Sequence, residues 1–128
     1  MKSLTRYVLF VGTFVLIGFG VRAQESKSSK IAMTKVLADT TLVRAVEVTL
    51  RPGQKTETHS HPAYFFRMIT DGKLLVLYTD GSKENFDLKA GDSGFSGPER
   101  PHVTENVGKK TLKFLVVELK EHPYMESK

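Results

Sequence analysis

The sequence predicts an all-β protein, a small barrel or sandwich, and three observations support this. Short apolar segments rich in β-branched and aromatic residues recur from residue 31 onward. The pairs Asp71-Gly72 and Asp80-Gly81 separate three of these segments, and Asp-Gly pairs favour tight hairpins. After the N-terminal region, no window of about 11 residues or more keeps the apolar period of an amphipathic helix.

Each predicted strand is one apolar segment bounded by turn residues. Asp71-Gly72 and Asp80-Gly81 are both predicted to form hairpins, and Ala90-Gly91-Asp92 forms a further turn. Two further segments are joined across residues 108–110. The predicted strands are 42–50, 63–70, 73–79, 83–89, 102–107 and 111–121.

The first 23 residues have the pattern of an export signal. Lys2 and Arg6 precede an apolar run from Tyr7 to Val21, and Ala23 ends a Val-Arg-Ala cleavage pattern. The run is shorter than the roughly 20 residues that a membrane span needs. We therefore expect cleavage after Ala23 and a periplasmic or secreted protein. The alternative is an uncleaved N-terminal anchor.

The length of 128 residues allows one domain. We divide the chain into a signal peptide (1–23), a lead-in and edge strand (24–40), a barrel (41–121) and a tail (122–128). Cleavage would leave 16 basic and 14 acidic residues, a net charge of +2. With this charge spread along the chain, we expect no nucleic-acid partner and no stable membrane association after cleavage. The chain has no cysteine, which excludes thiolate ligands and disulfides.

Three of the four histidines are candidate metal ligands. His59 and His61 are two residues apart, so on a strand their imidazoles lie on the same face. Two imidazoles side by side in a barrel interior are better explained by a shared cation than by packing. His102 starts a later strand and can supply a third ligand from the opposite wall.

The spacing of these residues resembles the two sequence motifs of the cupin superfamily. The first motif has the form G-x5-H-x-H-x3-4-E-x6-G and the second G-x5-P-x-G-x2-H-x3-N. The positions that agree, over about residues 42–118, are Gly53, His59, His61, Gly72, Gly91, His102 and Asn106. The resemblance implies a cupin-type jelly-roll β-barrel whose three histidines hold one divalent metal ion.

Two departures from the motifs are visible. In the second motif, Gly97 and Glu99 stand in place of the family's proline and second glycine. In the first, with x3 spacing, Phe65 takes the place of the glutamate. Phe65 keeps the odd-numbered phase of the first two histidines, so we expect it to point inward. The site would then be three neutral imidazoles, and Fe, Zn, Ni, Cu or Mn are not distinguished by this ligand set.

Four other residues, Glu57, Phe65, Arg67 and Asn106, are possible outer partners of the ligands or substrate-binding residues. Glu57 can be a fourth ligand or an outer partner of an imidazole, or a solvated residue at the strand entrance. Arg67 shares the phase of Phe65 and faces either a buried carboxylate or, after a bulge at Pro62, the solvent. Asn106 is expected to be structural or an outer partner rather than a ligand. His122 lies in the polar tail and is expected to be a surface residue.

The three-histidine barrel is compatible with more than one function. The first hypothesis is a metal-dependent enzyme, of oxygenase or isomerase type, that acts on a small organic molecule. The second is a non-catalytic module that binds a small ligand or metal, and the third is a barrel with a vestigial site. We also expect a homodimer, because an open edge strand at 31–39 needs cover.

Overall fold

The computed structural model describes residues 30–127, and the predicted signal peptide lies outside this range. Within the described range the chain forms nine strands and no helix, so it contains no helix long and apolar enough to cross a membrane. The strands are β1 Met33–Asp39, β2 Val43–Leu50, β3 His59–His61, β4 Tyr64–Met68, β5 Gly72–Tyr78, β6 Lys83–Leu88, β7 Ser93–Ser96, β8 Glu99–Asn106 and β9 Leu112–Leu119.

The strands form two antiparallel sheets, which confirms the predicted all-β fold class. One sheet has the order β1-β2-β9-β4-β7 and the other the order β3-β8-β5-β6. Side chains from both sheets alternate inward and form one apolar core between them. The buried core residues are Val46, Val48, Leu50, Met68, Leu74, Val76, Leu112 and Val116.

One of the two predicted hairpins is present and the other is not. Asp80-Gly81 joins β5 to β6, which pair directly, and Gly81 has a φ of 87°. Asp71-Gly72 instead carries the chain from β4 in one sheet to β5 in the other. A Cβ atom on Gly72 would collide with Cδ1 of Leu112, so the close approach of β5 and β9 requires a glycine here. The prediction of a hairpin at residues 71–72 was wrong.

The predicted orientation of β4 was also wrong. Tyr64, Phe66 and Met68 face the interior, whereas Phe65 is 38% exposed and Arg67 is also exposed. The reason is that β3 and β4 belong to different sheets, so the two residues between them reset the alternation of inward and outward side chains. Phe65 therefore does not point inward, and of the two alternatives for Arg67 the outward one is confirmed.

Two strand assignments differ in extent. β8 begins at Glu99, three residues before the predicted start at His102. The segment Ser93–Ser96 forms β7, which the sequence analysis left unassigned. β7 has only four residues, including one glycine, and pairs with β4 alone at the edge of its sheet, so its local pattern is weak.

Candidate metal centre

The fold brings His59, His61 and His102 together at one end of the barrel. β3 lies beside β8, where His59 is the Cα partner of His102 and His61 that of Glu99. His102 therefore comes from the neighbouring strand of the same sheet, and the prediction that it would come from the opposite wall was wrong. The ring of His59 lies 4.7 Å from that of His61 and 4.5 Å from that of His102, measured between centroids. The remaining pair, His61 and His102, is 5.3 Å apart.

Each imidazole is held through its Nδ1 atom by a protein oxygen. His59 Nδ1 lies 2.8 Å from the carbonyl oxygen of Glu57, and His102 Nδ1 lies 2.8 Å from that of Arg100. His61 Nδ1 lies 2.7 Å from Oε1 of Glu118. Carbonyl oxygens can only accept hydrogen bonds, so Nδ1 of His59 and of His102 each carries a proton.

The same assignment holds for His61. The hydrogen bond from this imidazole holds the pKa of Glu118 below its ordinary value, so the carboxylate is ionised and accepts from Nδ1. In the neutral rings, all three Nε2 atoms then carry lone pairs rather than protons.

Two of these Nε2 atoms face each other, and in the neutral rings neither has a proton to donate. His59 Nε2 and His61 Nε2 lie 3.1 Å apart, although both are acceptors in the neutral rings. A proton on one of them would relieve the contact, but burial lowers the pKa of His59 and disfavours the charged ring. A shared cation satisfies both lone pairs.

The residues present fit a transition-metal ion. One nitrogen from each histidine belongs to a group whose atoms all lie within 4.8 Å of one another. Imidazole nitrogens that bind one zinc ion at about 2.0–2.1 Å in a tetrahedral arrangement lie about 3.4 Å apart, and the 3.1 Å between His59 Nε2 and His61 Nε2 is close to this spacing. Hydrogen-bonded Nδ1 atoms are the usual support of metal-binding histidines.

Glu118 was missed by the sequence analysis, although the sequence carried a signal for it. On β9 the apolar side chains of Leu112, Phe114 and Val116 face inward at alternate positions, and Glu118 is the next member of this series. A carboxylate that continues an inward-facing apolar series needs a buried partner. That partner is His61, which lies 57 residues earlier in the chain.

The weaker site candidates lie outside the cluster. The Glu57 side chain is exposed, and only its backbone carbonyl contacts a histidine. Asn106 is fully buried and bonds to the backbone of Leu50, Lys110 and Gly108, which is a structural role. Phe65 and Arg67 face outward, and His122 is exposed.

Two cavities meet at the histidines. An outer cleft of about 510 Å³ is lined by His59, His61 and Glu118, with Arg44 at its rim. Arg44 occupies the inward phase of β2 and is the Cα partner of Glu118, and the sequence analysis did not single it out. An inner cavity of about 130 Å³ is lined by His61 and His102 and is otherwise mostly apolar.

The architecture and the histidine group are those of a small metal-site β-barrel, and sequence comparison defines the family. Residues 46–118 match the sequence profile described as the cupin domain. The protein therefore belongs to the cupin superfamily.

Relatives of known sequence or structure agree with this assignment. Over 104 residues the chain is 31% identical to oxalate decarboxylase OxdC of Bacillus subtilis (strain 168), an alignment that covers 77% of this chain but 27% of the enzyme. A cupin domain from Bordetella pertussis Tohama I is 26% identical, with a TM-score of 0.63, and the match covers 69% of this chain and 92% of that one.

A double-stranded β-helix protein from Klebsiella pneumoniae is also similar. It is 26% identical, with a TM-score of 0.59, and the match covers 72% of this chain and 79% of that one. The predicted cupin-type jelly-roll barrel is thereby confirmed.

Proposed function

We propose that this cupin holds one divalent transition-metal ion at His59, His61 and His102 and presents it to a small organic molecule. The observation that carries the proposal is the convergence of one ring nitrogen from each of three histidines, while each ring is held through Nδ1 by a protein oxygen. Three protein ligands leave coordination positions open, as catalytic metal sites do. When bound, the ion supplies a Lewis acid or redox centre.

The cavities support a small ligand beside the ion. The inner cavity of about 130 Å³ and the outer cleft of about 510 Å³ border the histidine cluster from two sides. The similarity to oxalate decarboxylase favours enzymatic chemistry on a small organic molecule, although the match covers only 27% of that enzyme. The alternative function is a non-catalytic module that binds a ligand through the same metal.

The decisive experiment is metal analysis of protein purified without a histidine tag. We expect one equivalent of divalent metal per chain, removable by chelation with a fall in melting temperature, because an ion bound only to the native state stabilises it. A protein that binds no divalent ion after dialysis against Fe, Zn, Ni, Cu or Mn would contradict the proposal.

If metal binds, turnover separates the two functions. Consumption of a small organic substrate by the metal-loaded protein, absent after chelation, identifies the enzyme. Stoichiometric ligand binding without turnover identifies the binding module.

We also propose that the protein is a homodimer. In the structure, β1 pairs with β2 of its own chain, and an apolar row crosses the outer face of its sheet through Ala45, Val117, Phe65 and Phe95. Phe95 is 66% exposed, which is unusual for an unpartnered aromatic residue. Light scattering should give twice the chain mass, and Phe95→Glu should give a monomer. A wild-type monomer at micromolar concentration would contradict the proposal.

Export remains a proposal that rests on the first 23 residues. N-terminal sequencing of the protein from fractionated cells should find a chain that begins at Gln24 outside the cytoplasm. A full-length chain in the cytoplasm would contradict it.

A further inference from the structure

Glu99 is an acidic residue in the wall of the inner cavity. It begins β8, is the Cα partner of His61, and lines the same cavity as His61 and His102. The rest of that wall is mostly apolar and includes Phe66, Val76 and other core side chains. A carboxylate in such surroundings needs partners, because a buried charge without them is costly.

Two tyrosines provide those partners. Tyr64 donates a hydrogen bond of 2.6 Å to Oε2 of Glu99, and Tyr78 donates one of 3.0 Å to Oε1. Tyr64 comes from the five-stranded sheet and Tyr78 from the other, so both sheets hold this carboxylate. Each carboxylate oxygen thus accepts one phenol hydrogen bond and keeps a further lone pair.

Both tyrosines keep their hydroxyl protons at neutral pH and so remain hydrogen-bond donors to Glu99. Burial, followed by the hydrogen bond to Glu99, raises the pKa of Tyr78 to about 12, and the same causes raise the pKa of Tyr64. The Glu99 carboxylate is therefore a hydrogen-bond acceptor in a fixed position, on the wall of the small cavity that two of the three histidines also line.

We propose that Glu99 is a specificity residue, and that a ligand which enters the inner cavity from the metal must be uncharged and donate a hydrogen bond to it. The inference rests on the proposed metal site. A small dianion such as oxalate would bring a second negative charge close to Glu99 in a small, mostly apolar cavity, where like charges repel more strongly than in water. A neutral ligand with an N–H or O–H group meets an acceptor instead.

The test uses the full-length Co²⁺-loaded protein, whose visible spectrum reports a ligand that enters the coordination sphere. Three neutral probes and one dianion are titrated: imidazole, 4-methylimidazole, 1-methylimidazole and oxalate. The two methylated probes have the same size, but only 4-methylimidazole keeps an N–H donor. We expect the wild-type protein to bind 4-methylimidazole at least about tenfold more tightly than 1-methylimidazole, which corresponds to one hydrogen bond.

The variant Glu99→Gln removes the charge and keeps the shape. We expect it to bind oxalate at least about tenfold more tightly than the wild-type protein does, because the like-charge repulsion is gone. Glu105→Gln is the matched control, since it makes the same change on the same strand at a carboxylate that lines neither cavity and pairs with Lys55, and it should leave oxalate binding unchanged.

The outcomes separate this inference from the proposed function. Wild-type protein that binds no cobalt would overturn the metal site and the role of Glu99 with it. Cobalt binding with equal affinities for the two methylated probes, and with oxalate affinity unchanged in Glu99→Gln, would overturn the role of Glu99 alone. If Glu99→Gln does not fold, the comparison of the two methylated probes on the wild-type protein decides the question.

Discussion

Two buried polar residues of β8, Asn106 and His102, differ in how their hydrogen-bonding atoms are satisfied. Asn106 is fully buried and uses both amide hydrogens and its oxygen on backbone partners. Earlier on the same strand, His102 is 2% exposed; its Nδ1 donates to a backbone carbonyl, and one of its ring nitrogens belongs to the group that could hold a metal ion. The first arrangement is complete within the protein, and the second would be completed by the proposed metal ion.

The comparison separates a residue that stabilises the fold from residues kept for binding. Asn106 joins the end of β2 to the turn between β8 and β9 through Leu50 and Lys110. A residue of this kind affects folding first and the site only indirectly. The histidines should show the reverse pattern, since their shared partner is external to the chain.

The largest effect is expected from the ligands themselves. His59→Ala, His61→Ala and His102→Ala should each weaken divalent-metal binding by at least about a hundredfold, because each removes one of three ligands. Isothermal titration and metal analysis measure this, with His122→Ala as the control that leaves binding unchanged. If His102→Ala kept full stoichiometry and affinity, the two motifs would not share one ion.

A substitution at Asn106 should change the stability of the fold rather than metal binding. Asn106→Ala should lower the free energy of unfolding of the metal-free protein by about 2–4 kcal/mol, because it removes the hydrogen bond to the buried backbone carbonyl of Leu50 and the bond to that of Lys110. Urea unfolding measures the change. Folded Asn106→Ala protein should still bind metal, and a loss of metal binding without loss of stability would contradict the role assigned to Asn106.

The carboxylate behind His61 should have an intermediate effect. Glu118→Gln should reduce metal affinity by about 10–100-fold, as removal of outer partners of metal-binding histidines does. The fold should change little, since the amide oxygen of glutamine can still accept from Nδ1. Glu47→Gln, on the outward phase of β2, is the control. Equal metal affinity in Glu118→Gln and wild type would remove this residue from the site.

Acidification should lower the free energy of unfolding of the metal-free protein through groups in the histidine cluster. Burial lowers the pKa of His59 from 6.5, so below about pH 6.5 the unfolded chain binds a proton that the folded chain resists. The lowered pKa of Glu118 adds stability that is present above its ordinary value of 4.5 and lost as pH falls further. Urea unfolding between pH 7.5 and 4 should show this loss, and His59→Asn should reduce its upper part.

The smallest effect is expected at Phe65. Phe65→Glu would restore a carboxylate at the family's position if the side chain faced the cavity, but the side chain faces outward. Metal affinity should therefore stay within about twofold of wild type, as for a surface change away from the site. Tighter metal binding in Phe65→Glu would show that β4 adopts the opposite orientation.

Local sequence patterns correctly predicted features that depend on a single strand or a single turn. The alternation in residues 42–50 predicted β2, and Asp80-Gly81 predicted the hairpin from β5 to β6. The fixed gaps between the two motifs predicted which three histidines would meet, because in a known fold these gaps set strand length and register. The fold class and the composition of the histidine group were therefore within reach of the sequence alone.

Only the tertiary structure showed the features that depend on where the chain crosses from one sheet to the other. The sequence could not show that residues 62–63 change sheets and reverse the phase of Phe65, because alternation holds only within one continuous strand. Nor could it show that Glu118 supports His61 from the other sheet, or that two tyrosines hold Glu99. These contacts join residues far apart in sequence, and only the packing of one sheet on the other brings them within hydrogen-bond distance.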